Sequence, residues 1–196
     1  MTKTNRTNYL KLKAVENSSV AIKATFRGVN LSYSYDRKTW VDFSFREIEQ
    51  ETGCFWGEYL SPEITINEGK TLYLRGDNSL SMNNIIQFVM TGKIEAKGSL
   101  TSISRTAFYM RMFKDCRALV KAPRLPAMDL AAYCYQSMFE GCWNLPSAPA
   151  LPAIKLAYAC YMCMFKDCRA LIKIPKLPAT ILADDCCWGG LWEIEI

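Results

Sequence analysis

Hydrophobic and polar residues alternate over much of the first half of the chain. Leu10, Leu12 and Ala14 are separated by lysines, and the same two-residue period recurs between residues 20 and 96. Successive side chains of a β-strand point to opposite faces, so this period predicts strands with one buried and one solvated face. Frequent turn sequences between the segments favour antiparallel pairing. We therefore expect an antiparallel β-sandwich-like module over residues 1–98.

A second pattern begins near residue 100, where apolar residues recur at a fixed interval of 26 positions. Within each interval, apolar residues spaced by four, such as Cys134 and Met138, predict a helix with one broad apolar face. A proline follows in each unit, as at Pro149, and limits any strand there to a short one. Such units stack, because one alone cannot bury its apolar face. The predicted shared core comprises Met112, Phe113, Cys116, Leu119, Met138, Phe139, Cys142, Leu145, Met164, Phe165, Cys168 and Leu171.

The composition of the chain changes where the repeats begin. Eight of the nine cysteines and seven of the eight prolines follow residue 100. This change predicts a domain boundary, with residues 99–196 forming three repeats and a terminal cap. Strands in the first half and helices in the second predict the α+β class for the whole chain.

The repeat also has a recognisable consensus. The unit CY-x-x-MF-x-x-C-x-x-L-x-x-x-P-x-LPA occurs at residues 134–153 and again at 160–179, and it resembles the BspA-type leucine-rich repeat. Residues 31–40, 74–78 and 87–98 are similar to the β module that often precedes such repeats. That family is abundant in gut Bacteroidales and in the phages that infect them. The resemblance implies a short α/β leucine-rich-repeat solenoid after the β module, and a surface-exposed binding or adhesion protein without catalytic activity.

The absence of histidine narrows the chemistry. None of the 196 residues is His, which excludes Ser-His-Asp and Cys-His catalytic sites and His-ligated metals. The net charge of +5 is divided almost evenly between the two halves, without the concentrated positive field of a nucleic-acid-binding protein. No apolar run is long enough to span a bilayer. We expect a non-enzymatic protein that needs no cofactor, binds no nucleic acid and does not insert into a membrane.

The nine cysteines raise the question of metal binding or redox chemistry. Cys160 and Cys163 form one C-x-x-C knuckle of the kind that zinc sites use, but no second knuckle follows at a matching spacing. No apolar secretion signal precedes the first strand, so we expect folding in a cytoplasm with reduced thiols. The preferred interpretation is a ladder of small buried residues, in which Cys116, Cys142 and Cys168 stack on one another. We predict no metal site.

One local motif lies in the first half. Residues 34–40, with the sequence SYDRKTW, resemble the Asp-box hairpin S-x-D-x-G-x-T-W. In that hairpin the Asp side chain accepts backbone N–H groups and the Trp packs underneath. Lys38 stands where the motif has glycine. We interpret Asp36 and Trp40 as structural turn residues. The likeness to a turn found in sialidases suggests a glycan-acting enzyme as a remote alternative.

Solvent-facing positions that change between repeats are the candidates for recognition. They are Lys114, Glu140 and Lys166 at one position of the repeat, and Arg117, Trp143 and Arg169 at another. An aromatic residue flanked by two arginines has the composition of a binding hot spot. The alternative is an ordinary solvated face, on which the Trp packs against the Arg side chains.

These patterns lead to two functional hypotheses. The first is a phage virion component, associated with capsid or tail, because virion proteins assemble in the host cytoplasm without a secretion signal. Its repeats would bind a protein or glycan surface, or other virion proteins. The second is a bacterial adhesin on the cell surface. Open sheet edges and the apolar residues Trp188, Leu191 and Trp192 favour self-association into a homo-oligomer.

Overall fold

The first half of the chain forms short β-strands connected by tight turns. The computed structural model describes residues 8–48, 58–125, 127–173 and 175–189. Its strands are β1 (Leu10–Ala14), β2 (Ser18–Ala24), β3 (Leu31–Ser34), β4 (Val41–Asp42), β5 (Arg46–Ile48), β6 (Glu58–Leu60), β7 (Ile64–Ile66), β8 (Thr71–Gly76), β9 (Ile86–Thr91), β10 (Ile94–Lys97) and β11 (Leu119–Lys121). Leu100–Ser102 forms a single 3-10 turn between β10 and β11.

The strands form two sheets. The first has the order β11-β10-β1-β8-β3-β4, and the second has the order β5-β6-β2-β7 with β9 paired to the other edge of β2. Every named pair is antiparallel except β10 with β11, which is parallel. The register places Leu10 of β1 opposite Leu74 of β8, and Leu12 opposite Leu72. The apolar side chains of these two strands therefore share one face of the first sheet.

The apolar faces of the two sheets contribute to one core. Leu12 and Leu72 of the first sheet and Val20 and Ile22 of the second are fully buried in the same cluster. Burial alternates along β1 and β8, as expected for strands with one solvated face. The short strands β4, β5 and β6 lie mostly at the surface and carry no alternation from which the sequence would predict them.

The predicted α+β class and its α/β leucine-rich-repeat solenoid are wrong. The described residues contain no α-helix, and the regular structure is almost entirely β. In the second repeat the backbone φ angle is positive at Tyr133, Ser137 and Gly141, with values of 61°, 53° and 73°. A left-handed residue at every fourth position is incompatible with an α-helix. The chain instead makes a run of successive tight turns.

Each such run of turns is called a coil below. The four coils lie at residues 109–116, 133–142, 159–168 and 184–189. They stack on one another, one coil from each of the three repeats and the fourth from the terminal segment, and together they are called the stack.

Backbone hydrogen bonds explain why turns replace the helix. The N–H group of Met138 donates to the carbonyl of Tyr135, three residues earlier, while the next N–H group, that of Phe139, donates to Met164 in the following coil. This alternation continues along the coil, and the bonds between coils keep a constant offset of 25 residues. An α-helix would use these N–H groups internally. A four-residue apolar spacing suits both arrangements, which is why the sequence pattern suggests a helix.

Equivalent side chains of the stacked coils form columns. The ring centroids of Phe113 and Phe139, and those of Phe139 and Phe165, are 5.7 Å apart with nearly parallel planes. Phe88 of β9 begins this column 5.0 Å from Phe113, and its N–H group donates to the carbonyl of Met112. The β module therefore covers the first coil, and the core continues from the sheets into the stack.

Candidate functional site: an interaction surface on the stack

Trp143 lies between two arginines from the neighbouring repeats. The guanidinium carbon of Arg117 is 3.5 Å from the centroid of the indole ring, and that of Arg169 is 4.0 Å from it. Arg117 comes from the repeat before Trp143 and Arg169 from the repeat after it, so the two cations cover opposite faces of the ring. Both arginines are exposed and the indole is half-buried. The three residues form one cluster, called the Arg–Trp–Arg cluster below.

No carboxylate in the part of the chain that the structure describes neutralises the two guanidinium groups. Among the residues that the structure describes, neither Arg117 nor Arg169 takes part in an ion pair. The aromatic face attracts each guanidinium, but it accepts few of the five N–H groups that a guanidinium can donate. The faces of Trp143 are covered, so a partner cannot stack on them. The groups available for recognition are therefore the guanidiniums, and Trp143 orients them.

Lys114 and Glu140 form an ion pair in the same coils. Lys114 Nζ lies 2.9 Å from Glu140 Oε1. Burial acts to raise the pKa of Glu140, but hydrogen bonds from Lys114 and Ser137 outweigh it and leave the pKa below its ordinary value. Lys166 is exposed, and its positive charge also lowers the pKa of Glu140. Glu140 is thus already engaged, and the predicted binding residues carry an excess of positive charge.

A groove runs between the extended segments of the first two repeats. Its volume is about 450 Å³, and prolines and alanines form much of its lining. Lys121 and Arg124 line the side belonging to the first repeat, whereas the smaller Ser147 and Ala150 occupy the equivalent positions of the second. The sequence predictions do not include this groove. The replacement of two long side chains by short ones at the equivalent positions of the middle repeat is the sequence signal that could have indicated the groove.

All twelve residues of the predicted repeat core are buried. The exposed fraction is 7% for Cys168, 6% for Leu171 and lower for the other ten. The sequence-based core omits a second column, in which the rings of Tyr109, Tyr135 and Tyr161 stack at 5.7 and 5.9 Å. Tyrosine at the same position of three repeats is the signal that could have added it.

The thiols of Cys116, Cys142 and Cys168 are hydrogen-bonded inside the stack. Each Sγ donates to the carbonyl of a phenylalanine one layer earlier, at 3.0 to 3.1 Å. Burial raises the pKa of the Cys168 thiol to about 12 and that of Cys142 well above its ordinary value. Because the thiolate is the nucleophile and the metal ligand, a thiol that stays neutral is inert in both roles.

Four further cysteines lie in the last two coils. Cys160 is buried, Cys163 is half-buried, and the Sγ atoms of Cys186 and Cys187 are 3.4 Å apart. Within the described ranges, no group of three or more Cys, Asp or Glu side chains is placed to hold a metal ion. Cys54 falls outside those ranges. Within the same ranges, no helix has the length and apolarity that crossing a bilayer requires.

The fourth coil continues the stack towards its end. Its carbonyls at Cys186 and Trp188 accept the N–H groups of Tyr161 and Cys163. The Trp188 side chain is 65% exposed, so it is an apolar surface at the end of the stack. The other two tail residues that favour self-association, Leu191 and Trp192, lie outside the described residues.

The Asp-box-like segment forms a turn between β3 and β4. Asp36 Oδ1 accepts the backbone N–H groups of Lys38 and Thr39 at 2.7 and 2.8 Å. These two bonds, with a further one from the Ser34 hydroxyl, lower the pKa of Asp36 to about 2. The left-handed residue of the turn is Arg37, with φ 66°. Lys38 therefore does not need the conformational freedom of the glycine that the motif usually carries.

Comparisons with known proteins add no assignment. No protein-family model matches the chain, and neither the curated proteins nor the solved structures contain a match. The resemblance to BspA-type repeats therefore rests on the residues of this chain alone.

Proposed function

We propose that this chain is a non-enzymatic binding protein whose stack recognises an anionic surface on a partner protein or glycan. The observation that carries the proposal is the position of two guanidiniums, Arg117 and Arg169, on the two faces of Trp143, where neither pairs with a carboxylate of the described residues. Lys166 adds an exposed cation in the coil that precedes Arg169.

Restraint of the two arginines supports a role in binding. A guanidinium donates pairs of parallel hydrogen bonds to carboxylate, sulfate or phosphate groups. A free arginine side chain loses rotamer freedom when it binds, and this loss weakens the association. Contact with Trp143 restrains Arg117 and Arg169 before a partner arrives. In this proposal Trp143 is a positioning residue, and the guanidiniums make the contacts.

The lack of histidine and the burial of the repeat thiols support a function without catalysis. The chain has no histidine, and burial raises the pKa of the Cys134 and Cys160 thiols to about 12 and about 11. The adjacent carboxylates Asp184 and Asp185 lie in the last coil, where Asp185 accepts a hydrogen bond from the Tyr158 hydroxyl at 3.2 Å. Asp185 is therefore already engaged by a neighbouring hydroxyl.

The proposed setting is a phage virion, with a bacterial cell surface as the alternative. The support is the likeness of the repeats to those of gut Bacteroidales proteins and their phages. Immunogold labelling of purified phage particles and of intact host cells would separate the two. Label on capsids or tails is expected, and label confined to the cell envelope would contradict a virion location.

Binding to three immobilised polyanions tests the proposed function. Polyglutamate presents carboxylates on a peptide, hyaluronate presents carboxylates on a glycan, and heparin presents sulfates. We expect biolayer interferometry at low salt to detect binding to at least one of them. Rising salt should weaken it, because exposed charges are screened over about 10 Å at 0.1 M ionic strength.

Two variants locate the interaction. The triple variant Arg117→Ala, Trp143→Ala, Arg169→Ala should lose about tenfold or more in affinity, equivalent to about 1.4 kcal/mol. The matched control, Lys11→Ala with Lys13→Ala, removes the same number of charges from the β module and should bind like the wild type. Circular dichroism establishes that both variants are folded. Absence of binding to all three polyanions, or equal affinities of the two variants, would overturn the proposal.

A further inference from the structure

A row of polar side chains crosses the outer face of the first sheet. Asp42 of β4 pairs with Ser32 of β3, and Ser32 pairs with Arg75 of β8. The pairing of β1 with β8 continues the row to Tyr9, immediately before β1. Side chains at the same register on neighbouring strands point to the same face. These four side chains are therefore aligned across four strands, on the face opposite the core.

The row lines a depression of about 370 Å³, which Asn30 extends at one end. Asp42 Oδ1 accepts the Ser32 hydroxyl at 2.6 Å, and no described residue donates a hydrogen bond to its Oδ2. Within the described residues, the side chains of Asn30 and Arg75 and the hydroxyl of Tyr9 make no hydrogen bond. The depression thus combines unused donors and unused acceptors in one place.

The charges of this depression balance. Asp77, which also lines it, forms an ion pair with Arg105. Arg75 and Asp42 remain as one cation and one anion, and no ion pair joins them. A ligand with a net charge would be attracted by one of these groups and repelled by the other.

Trp40 restrains the position of Arg75. The guanidinium carbon lies 4.1 Å from the centroid of the indole ring, and the ring of Tyr9 packs against Trp40 with centroids 5.0 Å apart. Trp40 directly follows the turn that Asp36 closes through its backbone hydrogen bonds. The Asp-box-like turn thereby positions Trp40, which contacts two residues of the depression, Tyr9 and Arg75.

We propose that Tyr9, Asn30, Asp42 and Arg75, called the β-face site below, bind a neutral saccharide unit. Sugar hydroxyl groups both donate and accept hydrogen bonds, which matches a carboxylate, a guanidinium and an amide facing one cavity. The ring of Tyr9 offers an apolar edge to sugar C–H groups, and the volume lies at the lower end of the range for small-ligand sites. This site is separate from the Arg–Trp–Arg cluster, and its argument does not depend on the proposed function of the stack.

Saturation-transfer-difference NMR on the full chain tests the β-face site. The probes are galactose, mannose, N-acetylglucosamine and, as a charged comparison, glucuronate. We expect signal transfer to at least one neutral sugar. Asp42→Asn keeps an acceptor for Ser32 but removes the charge, and Arg75→Gln keeps part of the side chain. Each should weaken binding about tenfold, the effect of losing one good polar contact.

Control variants make the test specific. Lys13→Ala changes a side chain on the same face of β1, outside the depression, and should leave sugar binding unchanged. The triple variant of the Arg–Trp–Arg cluster should also keep it, so failure of the proposed function and failure of the β-face site are distinguishable. Transfer to none of the neutral sugars, transfer to glucuronate alone, or insensitivity to both Asp42→Asn and Arg75→Gln would overturn the proposal.

The positioning role of Trp40 has its own readout. In Trp40→Phe the smaller ring covers less of the Arg75 guanidinium, so the Arg75 Nε–H resonance should move away from its ring-shifted position. Sugar affinity should fall about two- to fivefold, less than in Arg75→Gln, because the guanidinium is still present but less restrained. An unchanged resonance with unchanged affinity would contradict the positioning role.

Discussion

The β module and the stack satisfy the same backbone requirement in two different ways. In the module, antiparallel strands exchange N–H and C=O groups, and β2 has partners on both edges. In the stack, every second N–H group closes a local turn and the others reach the next coil, 25 residues further on. Both arrangements pair buried backbone groups, as a folded chain must. The stack does so with neighbours on one axis only, so each coil depends on the coil before it and the coil after it.

The side chains of the two regions differ as well. The module buries aliphatic residues such as Leu12, Ile22 and Leu72, whereas the stack buries columns of rings and thiols. Aliphatic groups carry no charge at any pH. A thiol becomes a charged thiolate at alkaline pH. Because the thiols of the stack are buried, the stability of the stack depends on these groups remaining protonated. The comparison therefore predicts different responses of the two regions to pH, to truncation and to backbone substitution.

Alkaline pH should unfold the stack selectively. Burial raises the pKa of the Cys134 and Cys168 thiols from an ordinary value of 9.0 to about 12. Above pH 9 the unfolded chain loses these protons while the folded chain keeps them, so the free energy of unfolding falls as pH rises. Each such thiol contributes about 1.4 kcal/mol per pH unit. Hydrogen exchange at pH 8 and pH 10 should show loss of protection in the coils while β1 and β8 retain theirs, after correction for the intrinsic rates.

A double variant sharpens this pH prediction. Cys134→Ala with Cys160→Ala removes two of the buried thiols, at the cost of a lower stability at every pH. Its unfolding free energy should depend less steeply on pH between 9 and 10 than that of the wild type. Equal slopes in urea titrations of the two proteins would show that the thiols do not control the alkaline response.

Truncation of the ring column should be the next largest effect. Phe139 is fully buried between Phe113 and Phe165, and Phe139→Ala should lower the free energy of unfolding by about 3–5 kcal/mol. Protection from hydrogen exchange should fall in the second coil and in the coils that flank it, and much less in β1 and β8. Leu12→Ala is the matched truncation in the module. A uniform loss of protection in Phe139→Ala would mean that module and stack unfold as one cooperative unit.

Two glycines with the same backbone angle give a finer comparison. Gly69 in the module and Gly141 in the second coil both have φ 73°. An added Cβ at Gly69 has open space around it, whereas at Gly141 it would lie 2.4 Å from Asp115 Oδ1. Gly69→Ala should therefore cost about 1 kcal/mol from left-handed strain alone, and Gly141→Ala should cost more. Thermal or urea unfolding measures both, and equal losses would show that the coils accommodate the extra methyl group.

The sequence predicts the strands of the module better than the conformation of the coils. Alternation at Leu10, Leu12 and Ala14 has one ready explanation, a half-buried strand, and β1 lies there with these three residues buried. Apolar residues spaced by four, as at Cys134 and Met138, suit an α-helix and also a run of turns. The deciding feature is where the alternate N–H groups bond. Their acceptors lie in the next repeat, so the hydrophobic pattern within a single repeat cannot show whether these bonds form.

The candidate sites differ in the same way. The 26-residue period aligns Arg117, Trp143 and Arg169 in sequence, and stacking brings equivalent positions together, so this cluster follows from the repeat alone. The β-face site combines Asp42 and Arg75, which are far apart in sequence and meet through pairing with β3. The two-residue strand β4 carries too little pattern to be predicted, so this second site is visible in the structure alone.

Each region has an arginine–tryptophan contact whose loss should change stability only slightly. Arg169→Ala removes a guanidinium from Trp143, and Arg75→Ala removes one from Trp40. At exposed sites such contacts contribute about 0.5–1 kcal/mol, so urea titrations should show a loss of that size in both variants. Binding should separate them, because Arg169→Ala should weaken polyanion binding and leave sugar binding intact, and Arg75→Ala should do the reverse. If either variant lost both activities, or lost much more stability than the other, the division of binding between stack and module would be wrong.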